Sequence, residues 1–198
     1  MMRGACSCFA LAVIALVGCQ SASTPREYAL DRVPVALVPA VADADSTIAR
    51  LQRRLGARLK SELETKGAAG AMAVCRDSAQ AMTAEIAEAN GVEAGRTSAR
   101  LRNPGNAPRA WAKPYVENAA DGTPASAVKP VVVDLGGKVG ILRPIPTQKL
   151  CLQCHGAADS LSQELARTLK ESYPEDQALG YREGDLRGFF WAEAPKRR

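Results

Sequence analysis

Apolar residues recur at spacings of three and four in two successive stretches of the chain. In the first, Ile48, Leu51, Leu55, Leu59 and Leu63 form one stripe, with Arg and Glu on the opposite side. That period predicts an amphipathic helix over residues 44–66, capped by Asp45 or Ser46 and ended by Gly67. In the second, Met72, Cys75, Ala79, Met82, Ile86 and Ala89 repeat the pattern. It predicts a helix over about residues 69–89, stopped by Asn90-Gly91.

Beyond Asn90 the period shortens. Residues 92–101 read as a short strand, Asn103-Pro104-Gly105-Asn106 as a turn, and residues 108–120, with Trp111, as a short helix. Residues 128–135 and 138–145 flank Gly136-Gly137, a two-residue hairpin turn, and Pro144 and Pro146 end that hairpin. Residues 160–172 carry Leu161, Leu165 and Leu169 at a spacing of four and predict a helix; residues 184–193 predict a last strand. Helices come first, then strands with a helical interlude, which defines an α+β single domain.

Composition sets the scale. The 198 residues are 46% hydrophobic, enough for one domain plus ends. With three Phe, four Tyr and two Trp, the core must be largely Leu, Val, Ile and Ala. Charge excludes one class: the formal net charge of +5 is scattered, apart from Lys196-Arg197-Arg198, and a nucleic-acid surface needs a concentrated patch. A mildly basic protein suits acidic head groups or acidic redox partners instead.

The front of the chain reads as an export signal. Arg3 precedes an apolar run over residues 9–17, too short to span a bilayer comfortably. Leu16-Val17-Gly18-Cys19 resembles a bacterial lipobox, in which Cys19 takes the lipid. The expected organisation is a signal peptide at 1–18, a flexible tether at 19–43 and the domain at 44–198. The expected location is the periplasmic face of a membrane. Gln20 after the lipidated cysteine resembles an outer-membrane sorting context.

Export changes the cysteine arithmetic. Of six cysteines, Cys6 and Cys8 leave with the signal and Cys19 carries lipid, so Cys75, Cys151 and Cys154 remain. An odd number in an oxidising compartment argues against a plain disulfide framework. Two of the three lie in Cys151-Leu152-Gln153-Cys154-His155-Gly156, with the only histidine of the chain. A zinc site would need Cys75, Cys151, Cys154 and His155 together, and adjacent Cys154 and His155 would both have to turn to one metal. A thioredoxin-type disulfide would sit between a strand and a helix N-terminus, whereas this motif follows prolines and is broken by Gly156. Cys-x-x-Cys-His is also the attachment signature of a c-type haem, with both cysteines as thioethers and His155 as axial ligand. Attachment after export agrees with the signal, and the haem reading is preferred. The opposite face of the iron is then open to Met72, Met82, Cys75, a lysine, water or nothing. The two methionines also read as plain core, whereas a lone thiol such as Cys75 in an oxidising compartment is a liability unless buried or bound.

Four stretches, AVCRDSAQAM, GRTSARLRNPGNAPRAW, PTQKLCLQCHG and YPEDQALGYREGDLRG, occur in that order. Together they resemble a family of small exported single-haem c proteins with a PAS-like fold. The resemblance implies an antiparallel sheet with N-terminal helices, one covalent haem c, and axial ligation by His155 and Cys75. Haem propionates are anionic and need donors, which makes Arg96, Arg100 and Arg102 near the RNP stretch, and Arg187 in EGDLRG, candidates for holding them. A thiolate ligand favours ferric iron, so a low potential is expected. Six-coordination leaves no open site for catalysis. The expected function is a tethered monohaem cytochrome for electron transfer or redox sensing, with a separate redox partner protein. The alternatives are a gas sensor or haem enzyme with a displaceable ligand, and a non-haem lipoprotein with a disulfide.

Overall fold

The computed structural model describes residues 25–119 and 121–197. The expected signal peptide and the lipidated Cys19 lie outside the described residues. Helix α1 (Val38–Ala73) is in fact two helices meeting at Gly67, whose φ of 66° and ψ of −175° interrupt the spiral. That left-handed backbone favours glycine, because a Cβ there crowds the following carbonyl. The second helix continues through a π turn (Val74–Ser78) into α2 (Ala79–Ala89). The two predicted helices are therefore present and Gly67 separates them, but the first starts earlier, at Val38.

The described part of the expected tether is not a tether. Strand β1 (Arg26–Ala29) pairs with β3 (Val131–Asp134), and Leu37, Ala40, Val41 and Ala44 are buried. These residues extend the Ile48-Leu51-Leu55 stripe backwards at the same period, so the helix belongs to the core from its first turn.

The remaining elements are β2 (Glu93–Thr97), α3 (Lys113–Glu117), β4 (Lys138–Pro146), α4 (Leu152–His155), α5 (Gln163–Ser172) and β5 (Leu186–Pro195). Five strands form one antiparallel sheet in the order β1-β3-β4-β5-β2. Gly136-Gly137 makes the expected turn, with Leu135 N donating to Lys138 O at 2.9 Å. β4 ends at Pro146, as expected, but runs through Pro144. Its pairing with β3 covers only Val139–Leu142, so at the prolines one side has no ladder and the missing N–H groups are tolerated.

Both faces of the sheet are covered, which is why Val131, Val132 and Val133 are all buried. On one face Ile48, Leu51 and Ile86 of the helices meet Val132, Val139, Ile141 and Ala192. On the other, Ala112 and Val116 meet Val131, Val133, Leu142 and Phe189. Trp191 lies across Gly95 of the neighbouring strand, where a Cβ would come 2.7 Å from the indole. A third cluster of Met72, Leu165, Leu169 and Tyr173 seats α5, whose first turn is capped by Ser162 Oγ accepting from Leu165 N at 3.2 Å. No helix among the described residues is long and apolar enough to cross a membrane.

Candidate functional site

A cavity of about 270 Å³ lies between the later part of the α1 stripe and the sheet. The stripe divides its work: Ile48 and Leu51 are fully buried in the core, whereas Leu55, Leu59 and Leu63 line the cavity. Ile145 and Phe190 add apolar wall from β4 and β5. Gly56 also lines it, and a Cβ built there would meet nothing within 4 Å. A glycine inside a helix costs about 1 kcal/mol relative to alanine. Here it leaves the helix backbone open to close approach by a ligand.

The Cys-x-x-Cys-His motif forms one end. After β4 the chain is pinned by Thr147 N donating to Asp185 O at 2.8 Å and Gly184 N donating to Thr147 O at 2.9 Å. It then makes a 3-10 turn (Lys149–Cys151) and the single helical turn α4. Gln148 N donates to Cys151 Sγ at 3.4 Å. Cys151 and Cys154, both on the cavity wall, are thiols and not a disulfide.

His155 is oriented from behind. Its Nδ1 lies 2.7 Å from Ala178 O, and a carbonyl can only accept, so Nδ1 carries the proton. In the neutral ring Nε2 then keeps its lone pair. Burial first, then the Arg187 and Arg102 charges, hold the imidazole well below its usual pKa and so keep it neutral. Tyr181 N donates to His155 O at 2.9 Å and Gly180 N to Gly156 O at 2.7 Å, docking residues 178–181 along the motif.

Arg96, Arg100, Arg102 and Arg187 all line the cavity, but their circumstances differ. Arg102 is a structural tie. Its Nε donates to Asp176 at 3.0 Å, Nη2 to Cys154 O at 2.7 Å and to Ala178 O at 3.3 Å, and Nη1 approaches Met72 Sδ at 3.9 Å. Asp176 also accepts from Ala178 N at 2.8 Å. The pair is buried on both sides and locks the motif to the segment behind it. Arg102 was a candidate for propionates; the structure places most of its donors on protein acceptors. Arg187 has no such set of partners: Nη1 reaches Ser98 Oγ at 3.3 Å, and Nε is buried without a hydrogen-bond partner.

Of the candidate distal ligands, Met72 is 2% exposed within the α5 cluster and Met82 packs against the sheet core; neither is among the described cavity-lining residues. Cys75 sits in the π turn Val74–Ser78, four positions before Ala79, which lines the cavity. The Cys75 side chain lies outside what the structure describes. π turns within α-helices recur at functional sites. Among the described residues no three or more His, Cys, Asp or Glu side chains gather as a metal cluster, so the tetrahedral zinc arrangement finds no support there. Sequence reasoning did not single out Ala178, Asp176 or Tyr181 as supports of His155. A backbone carbonyl carries no side-chain signal, and the two side chains act through contacts over 20 residues or more.

The donor set fits a flat, largely apolar prosthetic group held by thiols and an imidazole, with anionic substituents toward the arginines. Fold and site thus define an α+β protein with a cavity between helix and sheet that is lined by two thiols, an imidazole and arginines. The chain belongs to the Tll0287-like family, whose model matches residues 22–195. Among solved structures it is similar to the crystal structure of the cyanobacterial haem protein Tll0287, at 27% identity and a TM-score of 0.59, covering 84% of this chain and 99% of that one. No curated protein matches.

Proposed function

We propose that this protein is a periplasmic c-type cytochrome that binds one haem in the α1–sheet cavity and serves in electron transfer or redox sensing. The observation that carries the reading is the orientation of His155, whose Nδ1–H···O bond to Ala178 leaves Nε2 as the ligating nitrogen, with both thiols on the same cavity wall. Family membership and likeness to a haem protein support it. The helices packed on a five-stranded antiparallel sheet support the PAS-like description.

A haem held here supplies reversible one-electron chemistry at its iron. Cys151 and Cys154, both thiols on the cavity wall, would attach it as thioethers. His155 would bind the iron through Nε2, and its bond to Ala178 keeps the ring from turning. Leu55, Leu59, Leu63 and Phe190 exclude water from the cavity walls. Cys75, placed in the π turn on the helix that lines the cavity, would be the second ligand, and a thiolate there would stabilise the ferric state and keep the potential low. Cys19 carries a lipid that holds the domain at a membrane, outer rather than inner, and electrons pass to or from a separate partner protein.

The test is the visible and near-infrared spectrum of the exported protein, oxidised and dithionite-reduced, for wild type and Cys75→Ala. A c-type spectrum with a thiolate charge-transfer band that disappears in Cys75→Ala is expected. An unchanged spectrum in the variant returns Cys75 to the core. A colourless protein from a host with active attachment machinery ends the haem reading and favours a disulfide lipoprotein.

A further inference from the structure

The described residues expose two large apolar side chains, Val35 at 87% and Val38 at 48%. Single exposed apolar residues are ordinary on a protein surface, but these two stand together. They belong to residues 33–42, which contain only Val, Pro, Ala and Leu. A 3-10 turn (Val35–Leu37) leads into α1 there, and Leu37, Ala40 and Val41 face the core. The outward positions Pro34, Ala36 and Pro39 are exposed with the two valines. Farther along the same helix the outward positions are Gln52, Arg53 and Arg54, as contact with water requires. The start of α1 is therefore apolar inside and out. It also lies at the end of the molecule away from the cavity. Arg197 Nη2 donates to Asp43 at 2.6 Å, and Lys196 N donates to Gly137 O at 3.1 Å. Arg143, farther along β4, meets Asp45. α1 thus runs from the Gly136-Gly137 turn toward the far end of β4, after which the Cys151 motif follows. Val38 precedes Asp43 and stands at the turn end, as does Arg26, which pairs with Asp134. Leu55, on the cavity wall, is roughly 25 Å farther along the helix, at a rise of about 1.5 Å per residue.

We propose that the patch around Val35 and Val38 is a bilayer-docking surface, which rests among lipid head groups and upper acyl chains and turns the cavity end away from the membrane. The proposal rests on the reading of Cys19 as the lipidated residue. Only residues 20–24 separate Cys19 from Pro25, and β1 starts at Arg26. Fully extended, such a stretch spans roughly 20 Å, so the turn end of the domain stays close to the surface that holds the lipid. Two valines alone are too little to hold a protein on a bilayer from solution. An anchor this near makes their contact intramolecular, at the high effective concentration that a short link provides. Charge adds little. Exposed Arg26 and Arg32 stand with exposed Glu27 and Asp31, and Arg197 is paired with Asp43. The contact is therefore apolar and does not depend on acidic lipid. Docked in this way, the Cys151 motif and the cavity face the solvent, where a soluble redox partner can reach them.

The test uses the full chain as the host processes it, placed in phosphatidylethanolamine–phosphatidylglycerol vesicles with a trace of phospholipid bearing a photoreactive diazirine on its acyl chain. Intact mass first reports whether Cys19 bears lipid. After illumination the lipid adducts are mapped by tryptic peptide, for wild type and for the double variant Val35→Asp, Val38→Asp. Residues 33–50 form one such peptide, and residues 103–109, which include Asn103 and Asn106 of the cavity wall, form the comparison. The 33–50 peptide is expected to carry about tenfold more adduct, as partial burial of two valines allows, and added salt should not reduce it. The double variant should lose that excess, keep the lipid on Cys19 and melt like wild type, because both side chains are exposed. Equal labelling of the two peptides in a chain that bears the lipid would overturn the docking and leave the anchor standing. Chemical cross-links joining two copies through residues 33–50, with no lipid adduct there, would assign the patch to a second copy and overturn it too. A chain with no lipid on Cys19 would end the anchor reading by itself and the docking with it, since nothing else brings the patch to a bilayer.

Discussion

Arg102 and Arg187 have the same side chain, line the same cavity and do opposite things. Arg102 meets a buried carboxylate and two carbonyls, so its charge is part of the scaffold behind His155. Arg187 meets a hydroxyl and an aromatic face, and its charge has no ion-pair partner among the described residues. Removing one partner of a buried pair strands the other, at about 3–5 kcal/mol. Arg102→Ala is therefore expected to destabilise the protein by about that amount, measured as a lower midpoint in urea. Asp176→Asn should be milder, since an amide oxygen can still accept from Arg102. A variant Arg102→Ala that unfolds like wild type would show that the pair ties nothing together.

At the scale of the element, the α1 stripe is continuous in sequence but divided in purpose. Its first part packs against Val132, Val139 and Ile141; its last part faces the cavity. The period alone cannot mark that division, because both parts want apolar side chains. Truncating a core leucine leaves a void and costs about 2–5 kcal/mol. Leu51→Ala should lose that much stability in the chain without prosthetic group, while Leu59→Ala, already bordering open space, should lose clearly less. Denaturant titration of both variants, expressed without attachment machinery, checks this. Equal losses would mean that Leu59 packs in the core and the cavity is smaller than described.

At the scale of the whole molecule, the face of the sheet away from α1 is tied by charge as well as by packing. Glu193 on β5 is 4% exposed. It accepts from Arg109 Nε at 2.7 Å and from Trp111 Nε1 at 2.8 Å, and Lys138 lies 3.5 Å away. Arg109 also reaches Glu93 at 3.0 Å, so the network joins β2, β4, β5 and the segment before α3. Burial by itself would raise the Glu193 pKa, but the hydrogen bonds from Arg109 and Trp111 outweigh it and hold the carboxyl below its usual 4.5. A carboxyl depressed in the folded state stabilises it above the unfolded pKa. That stability disappears as pH falls through the lower folded value. Melting temperature should therefore drop as pH goes below about 4.5, and Glu193→Gln should flatten the drop. A variant with the wild-type pH profile would mean that other carboxylates govern acid unfolding.

Much of this was legible along the chain because it is coded locally. A period of 3.6 marks a helix whatever it packs against, and the Gly67 break and the Gly136-Gly137 turn are local backbone geometry. Two thiols and an imidazole within five residues announce their chemistry wherever they lie. What only the tertiary structure decided depends on partners far away in sequence. β1 is a strand because Val131–Asp134 offer it a ladder, and Pro144 stays in β4 because β3 has already ended. The tautomer of His155 is set by the carbonyl of Ala178, a group that every residue possesses. The difference between Arg102, tied into the scaffold, and Arg187 comes from whether the fold pairs a carboxylate with it, as Asp176 pairs with Arg102 while Arg187 forms no ion pair among the described residues. Sequence determines which groups are present and which local shapes they favour; the distances that turn them into a site arise only when the sheet closes.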